Sequence, residues 1–186
     1  MSEGSKLIDI AMVRETLDGI PDIPMPAPYR LRNWRAGDEA AFDEIWIAAD
    51  ECGQAKQGLF AEQFGANIDA VPERMFFILD GAGRAVGTAT AWWNPNFGAP
   101  GDNWGQVHWV AIMPEAQGKG LSKPLMTAVL RRMKALGHER ASLGTQTVRL
   151  VAIALYRSLG FKPLIRNDAD AAAWRDVEEK LARMRR

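Results

Sequence analysis

Residues 107–137, VHWVAIMPEAQGKGLSKPLMTAVLRRMKALG, limit what this chain can fold into more than any other stretch. An apolar β-type run over residues 107–113 breaks at Pro114 and passes through Gln117-Gly118-Lys119-Gly120. It resumes with Leu121, Leu125, Val129, Met133 and Leu136 at helical spacing, closed by Gly137. A strand that enters a helix through Gly-Lys-Gly leaves several backbone N–H groups pointing outward at the positive end of the helix dipole. The glycines carry no Cβ to obstruct what approaches. That is a cradle for phosphate. Pro124 does not spoil it, because a missing N–H in the first helical turn costs little.

The alternation continues past this unit. Residues 141–146 read as a strand, 151–159 as a helix closed by Gly160, and 161–165 as a strand. Upstream, RMFFILDGAGRAVGTATAWW gives two β-rich runs joined by the turn Asp80-Gly81-Ala82-Gly83-Arg84. A hairpin followed by βαβαβ predicts a mixed α/β sheet with helices packed on its faces. Before the hairpin come a strand-like YRLRNW, a helix capped by Asp38 with Phe42, Ile45, Trp46 and Ala49 inward, and a weaker helix containing Leu59, Phe60 and Phe64. A final amphipathic helix over about residues 170–186 turns Trp174, Val177 and Leu181 inward. Residues 1–28 read as an N-terminal arm. Leu7, Ile10, Ala11, Val13 and Leu17 fit one face of a short helix, and the prolines of IPDIPMPAP force an extended connector, either packed or a free linker. The remainder, 29–186, is a single domain.

With 186 residues, 47% of them hydrophobic, the chain can bury one ordinary core. Lys plus Arg (23) balance Asp plus Glu (23), so no global field favours nucleic acid or an anionic membrane, and a small or locally recognised partner is expected. Cys52 is the single cysteine, and His108 and His138 are far apart in sequence, which argues against a disulfide and against a metal cluster. Asp9, Arg14 and Glu15 interrupt the N-terminal segment where a secretory signal needs an unbroken apolar run, and no stretch of about 18 apolar residues occurs. A cytoplasmic protein is expected, and a homodimer is compatible with the sequence.

Which phosphate the cradle takes depends on the motif. A nucleotide P-loop needs glycine five residues before Gly118 and Ser or Thr after Lys119, where this chain has Met113 and Gly120. A dinucleotide fingerprint beginning at Gly118 and Gly120 meets Lys123 in place of its third glycine. A glycine turn that merely joins strand to helix is the plain alternative.

The pattern resembles the GCN5-related N-acetyltransferases (GNAT), whose acetyl-CoA motif is Gln/Arg-x-x-Gly-x-Gly/Ala. It stands here as Gln117-Gly118-Lys119-Gly120-Leu121-Ser122, behind the apolar VAIMPEA. A second family element, alanine followed by Leu-Tyr and then Gly-Phe, stands as Ala152-Ile153-Ala154-Leu155-Tyr156-Arg157-Ser158-Leu159-Gly160-Phe161. The resemblance spans about residues 29–166. It implies a mixed, mostly antiparallel central sheet with helices on both faces. It also implies acetyl-CoA as co-substrate, held by Val110, Ala111 and Ile112 of the strand and by Gln117, Gly118, Lys119, Gly120, Leu121 and Ser122 of the turn. Two positions depart from the pattern. Ser122 replaces a Gly or Ala, and Arg149 stands where the family often has Asn, free either to reach a phosphate or to face solvent.

Acetyl transfer to an amine sets three requirements. An amine of pKa near ~10 must lose a proton before it attacks, negative charge on the thioester oxygen needs a backbone N–H, and the departing thiolate gains from a proton. The resemblance assigns the last task to Tyr156, whose alternative is a core tyrosine among Ile153, Leu155 and Leu159. Strand alternation places Gln106, His108, Val110 and Ile112 on one face, which makes His108 a candidate base, the alternative being a structural histidine. Trp92, Trp93, Phe97 and Trp104 flank the loop ahead of this strand, as core or as walls of an acceptor pocket, with Asp102 the loop's one carboxylate. The expected activity is N-acetyl transfer from acetyl-CoA to a small-molecule amine by direct attack. A domain of this shape that binds acyl-CoA as a sensor or interaction module without turnover is the alternative.

Overall fold

Apolar runs with β-branched and aromatic residues make the strands, and a computed structural model shows how they assemble; it describes residues 7–50, 53 and 55–184. Cys52 and the last two residues of the expected C-terminal helix lie outside the described residues. In chain order the elements are β1 Asp9–Arg14, β2 Arg30–Asn33, α1 Glu39–Ala49, α2 Leu59–Phe64, α3 Val71–Arg74, β3 Met75–Leu79, β4 Ala85–Trp93, β5 Trp104–Ile112, α4 Ser122–Ala135, β6 Arg140–Gln146, α5 Leu150–Ser158, β7 Lys162–Leu164 and α6 Asp168–Met184. The strands form one seven-stranded sheet in the order β2-β3-β4-β5-β6-β1-β7. Every pairing is antiparallel except β5 with β6. This is the mixed sheet that the element order predicts, mostly antiparallel as the resemblance implies.

Helices cover both faces, as two residues of β5 show. A Cβ on Gly105 would lie 2.8 Å from the Met133 sulfur of α4. The ring of His108, three residues on and therefore on the opposite face, meets Phe64 of α2 at 6.1 Å. The core between these layers includes Phe42, Phe64, Phe77, Met12, Leu125, Met126 and Leu130, all fully buried. Gly137 has φ 85° and ends α4, and the His138 N–H donates back to the Met133 carbonyl.

The N-terminal segment departs from the expectation of a short helix. Residues Asp9–Arg14 form a strand inserted between β6 and β7, paired from Asp9↔Gln146 to Arg14↔Ala141 on one side and over Ala11↔Leu164 to Val13↔Lys162 on the other. An inner strand is covered on both faces, so its apolar residues run on without a period of two and fit a helical template by accident. Arg14 secures its end, donating from Nε to the Thr16 carbonyl, from Nη2 to the Asp18 carbonyl (2.7 Å each), and from Nη1 to the Leu159 carbonyl. The proline-rich connector then crosses the outside of α4, with Asp18 against Lys134 and Asp22 against Arg131, both at 2.6 Å. It is packed rather than free.

Asp38 precedes α1 as expected but caps nothing with its side chain. Its carboxylate instead accepts both Nη groups of Arg32 and the N–H of Arg35. A bidentate guanidinium contact is the stronger of the two uses of the group.

Candidate active site

β5 and β6 run parallel for only three residue pairs, from Trp104↔Arg140 to Gln106↔Ser142. Beyond them the ladder stops, and a cavity of about 980 Å³ lies between residues 107–112 of β5 and 143–146 of β6, with α5 along one wall. A parallel pair can part in this way because the helix that connects it, and no hairpin, holds the far ends.

A bulge shapes the β5 side. Thr88 pairs with Ala111 and Thr90 with His108, so Trp109 and Val110 together oppose Ala89. This corrects the simple alternation: Gln106 and His108 share a face with Ala111, while Val110 and Ile112 do not continue it. Trp109 has φ 49°, a conformation that a bulky residue adopts at a cost on the order of 1–3 kcal/mol. Packing offsets that cost. The Trp109 ring meets Trp46 edge-on at 4.7 Å and Phe42 at 6.1 Å. By doubling residues at the bulge, the strand brings His108, Trp109, Val110, Ala111 and Ile112 all to the cavity lining.

At the other end, β5 stops at Ile112 and Pro114 opens a short 3₁₀ turn over Pro114–Ala116, an addition to the direct strand-to-helix passage predicted. Gly118 and Gly120 follow at φ 72° and 76°, and a Cβ built on either meets nothing within 4 Å. The glycines therefore serve the left-handed backbone, and the space before them is open. The first turn of α4 receives no side-chain cap, so its leading N–H groups lack that partner. Gln117, though exposed, folds back along the turn: its Nε2 donates to the Ile112 carbonyl at 2.9 Å and fastens the turn to the end of β5. Lys119 points toward the connector, its Nζ donating to the Tyr29 hydroxyl at 3.1 Å.

Of the sequence-predicted site residues, His108, Val110, Ala111, Ile112, Gln117, Gly118, Ser122, Arg149 and Tyr156 line this one cavity. Lys119, Gly120 and Leu121 are not part of the lining, and the Leu121 side chain is in the core. Arg149 sits at the N-terminal end of α5 with Nε donating to Gln146 Oε1 at 3.2 Å, so it faces the cleft rather than solvent alone.

Burial sets the titration of the two candidate catalytic groups. The Tyr156 phenol is pushed above its usual value by desolvation, with Arg149 acting weakly the other way. It stays protonated at neutral pH. Desolvation lowers His108 to about 4, so its imidazole is neutral across the physiological range. Its ring lies edge-on to Phe64 and Trp109.

The predicted aromatic pocket at Trp92, Trp93, Phe97 and Trp104 is not part of the cavity. Trp92 and Trp104 are buried, Trp92 stacks on Trp93 at 4.4 Å, and Phe97 with Trp104 borders a separate hollow of about 320 Å³. Asp102 is occupied by the Ala99 N–H and Trp104 Nε1. The aromatic wall of the main cavity comes instead from Trp46 and Trp109, with Ala49, Asp50, Ala55 and Leu59 from the α1–α2 region. Trp46 reads in sequence only as an inward helix position, and no sequence signal marks the bulge that swings Trp109 toward it. Among the described residues no group of three or more His, Cys, Asp or Glu is placed to hold a metal ion. No helix among them is long and apolar enough to cross a membrane.

Comparison with known proteins gives the family and the fold. Residues 39–161 match the model of the Acetyltransferase (GNAT) family. A mycothiol acetyltransferase from Arthrobacter sp. (strain FB24) is 30% identical over 160 residues, covering 81% of this chain and 47% of the relative. One from Pseudarthrobacter chlorophenolicus is 28% identical over 149 residues, covering 76% and 45%. The chain thus spans about half the length of the curated relatives it matches. Among solved structures, a GCN5-related N-acetyltransferase from Sphaerobacter thermophilus superposes with a TM-score of 0.70 at 21% identity, over 84% of this chain and 48% of that one. AAC(6')-Iy, solved in complex with the bisubstrate analog CoA-S-monomethyl-acetylneamine, superposes with a TM-score of 0.59 at 16% identity, over 76% of this chain and 95% of that one. These likenesses show the fold.

Proposed function

The chain belongs to the GNAT acetyltransferase family, and from that premise we propose that it moves an acetyl group from acetyl-CoA to the amine of a small molecule by direct attack. One observation carries the reading: the open glycine turn, His108 and Tyr156 border a single cleft where β5 and β6 part.

The fit to the co-substrate is local and physical. Gly118, Ser122 and the uncapped first turn of α4 would receive the pyrophosphate, with Lys123 and Arg149 supplying positive charge at the lining. Acetyl-CoA supplies the activated acyl group. The protein's own residues do the rest. A backbone N–H in the stretch 110–112, at whose start the bulge leaves Val110 without a ladder partner of its own, would polarise the carbonyl. Tyr156, held protonated by burial, would give its proton to the sulfur. His108, held neutral, would accept the amine's proton directly or through one water. In this reading no metal takes part, the acceptor is a small molecule, and the reaction runs in the cytoplasm. The names of the mycothiol acetyltransferase relatives favour such an acceptor.

The test is release of free CoA thiol from acetyl-CoA against a panel of small amines, amino acids, amino sugars and peptides. Turnover with a small amine is expected. Tight acetyl-CoA binding with no thiol release for any member would replace this reading with the binding module.

A further inference from the structure

Two threonines of β4 are wholly buried, and the fold treats them differently. Thr88 Oγ1 donates to the Phe76 carbonyl of β3 at 3.0 Å. Thr90 Oγ1, two residues on, has no hydrogen-bond partner among the described residues. A buried hydroxyl left without a partner is costly, and the place of this one in the sheet shows what it faces. Thr90 stands directly across the β4–β5 ladder from His108. Side chains opposite one another in an antiparallel pair share a face, with Cβ atoms about 5 Å apart. The ring contacts agree, since Phe64 meets His108 at 6.1 Å and also Trp92, two residues beyond Thr90, at 5.2 Å. The His108 imidazole likewise makes no hydrogen bond among the described residues, its neighbours being the rings of Phe64 and Trp109. Two polar groups without partners thus face each other across one ladder. Trp46 and Trp109, in the same layer, also keep buried indole N–H groups without a partner, but an indole only donates. A hydroxyl accepts as well.

We propose that Thr90 is a positioning residue for His108. Its hydroxyl oxygen accepts the imidazole N–H, directly after a turn about χ1 or through one buried water, and so points the lone pair of the other ring nitrogen into the cleft. This inference rests on the reading of His108 as the base of an amine acetyltransferase and names what orients it. A neutral imidazole has one N–H and one lone pair, and the partner of the N–H decides which nitrogen carries which. With the tautomer fixed, the free lone pair takes the amine's proton, the ring becomes an imidazolium, and that proton then passes to water in the cleft. Burial keeps the ring uncharged before the step. Without the hydroxyl nothing separates the two tautomers, and in one of them an N–H meets the amine and cannot accept. His138 shows the same device elsewhere in the chain: its Nδ1 lies 2.8 Å from the amide oxygen of Asn103, which makes that nitrogen the donor.

The experiment reads the ring nitrogens of the full chain by two-bond proton–nitrogen correlation at neutral pH, with His138 the one other histidine and His108→Gln assigning the signals. His108 should show a single tautomer. Thr90→Val keeps the branched shape without the hydroxyl and should give the averaged shifts of a mixed population, with kcat lowered about tenfold and acetyl-CoA affinity by calorimetry unchanged. Thr90→Ser restores the hydroxyl and should recover both the tautomer and most of kcat. A mixed population in the unaltered protein, or a tautomer that survives Thr90→Val, would overturn the inference and leave the acetyltransferase reading intact. A single tautomer that Thr90→Val abolishes, in a protein that releases no CoA thiol with any acceptor, would uphold the contact between Thr90 and His108 and overturn the acetyltransferase reading.

Discussion

The two ends of the cleft are built in different ways. At the end proposed for phosphate, the turn Gln117-Gly118-Lys119-Gly120 and the start of α4 are consecutive in the chain, and their chemistry is that of backbone N–H groups and two left-handed glycines. At the end proposed for the acceptor, Trp46, Asp50, Leu59, His108 and Trp109 come from α1, the segment after it, α2 and a bulged strand. A binding surface made of backbone can be local, because every residue supplies the same N–H. One made of side-chain shape must be gathered from several elements. The first end should therefore respond to single changes of backbone or charge, and the second to changes in what supports it.

The largest effect is expected from Gly120→Asp. No atom lies within 4 Å of the new Cβ, and Asp tolerates positive φ better than most residues, so the fold should persist. Its charge would stand against phosphate, and acetyl-CoA should bind at least about 100-fold more weakly by calorimetry. Gly120→Asn separates charge from backbone strain and should lose far less. Equal binding by the folded Asp variant would move the phosphate site elsewhere.

Tyr156→Phe keeps the ring packed edge-on against Phe161 at 6.1 Å and removes the hydroxyl. A proton donor predicts a fall of about 10²-fold in kcat with acetyl-CoA affinity retained. Unchanged turnover would return Tyr156 to the core.

His108 gives a pH test at the acceptor end. Its folded pKa of about 4 lies below the reference value of 6.5, so between these values the unfolded chain takes up a proton that the folded protein refuses. Stability should fall as pH drops from about 6.5 to about 4, on the order of 3 kcal/mol, and level off below. His108→Gln should flatten that slope in denaturant titrations. The rate should show no histidine limb between about pH 6 and 8, and any rise there should track the acceptor's own amine pKa. A limb near pH 6.5 that vanishes in His108→Gln would mean that the imidazole is more solvated than its burial implies.

The smallest effect concerns the support of the aromatic wall. Buried Asp43 accepts the N–H groups of Gly58 at 2.6 Å and Phe60 at 2.8 Å, pinning the start of α2 to α1. Asp43→Asn turns one acceptor into a donor and should cost about 1–2 kcal/mol. The acceptor KM should rise a few-fold while acetyl-CoA affinity holds. A loss at both ends alike would show that the two are not independently built.

The glycine turn, the hairpin at residues 80–84, the helix ending at Gly137 and the final amphipathic helix were legible because each is specified by neighbours in sequence: positive φ at glycine, period 3.6, turn residues at fixed offsets. The family resemblance rested on the same local elements. What sequence reading missed was set by contacts across the chain. Asp9–Arg14 is a strand because β6 and β7 offer it two ladders, a fact absent from its own apolar run. Trp109 faces Trp46 because Trp109 and Val110 share one partner residue, and a bulge has no fixed residue code when packing, rather than glycine, sustains its backbone. Asp38 serves Arg32 rather than its helix because a guanidinium six residues away reaches it first. The sequence by itself determined the glycine turn that opens α4, the place proposed for phosphate, since backbone geometry is encoded residue by residue; the tertiary structure decided which side chains line the opposite end of the cleft, since side chains converge only after the sheet has set their register and their face.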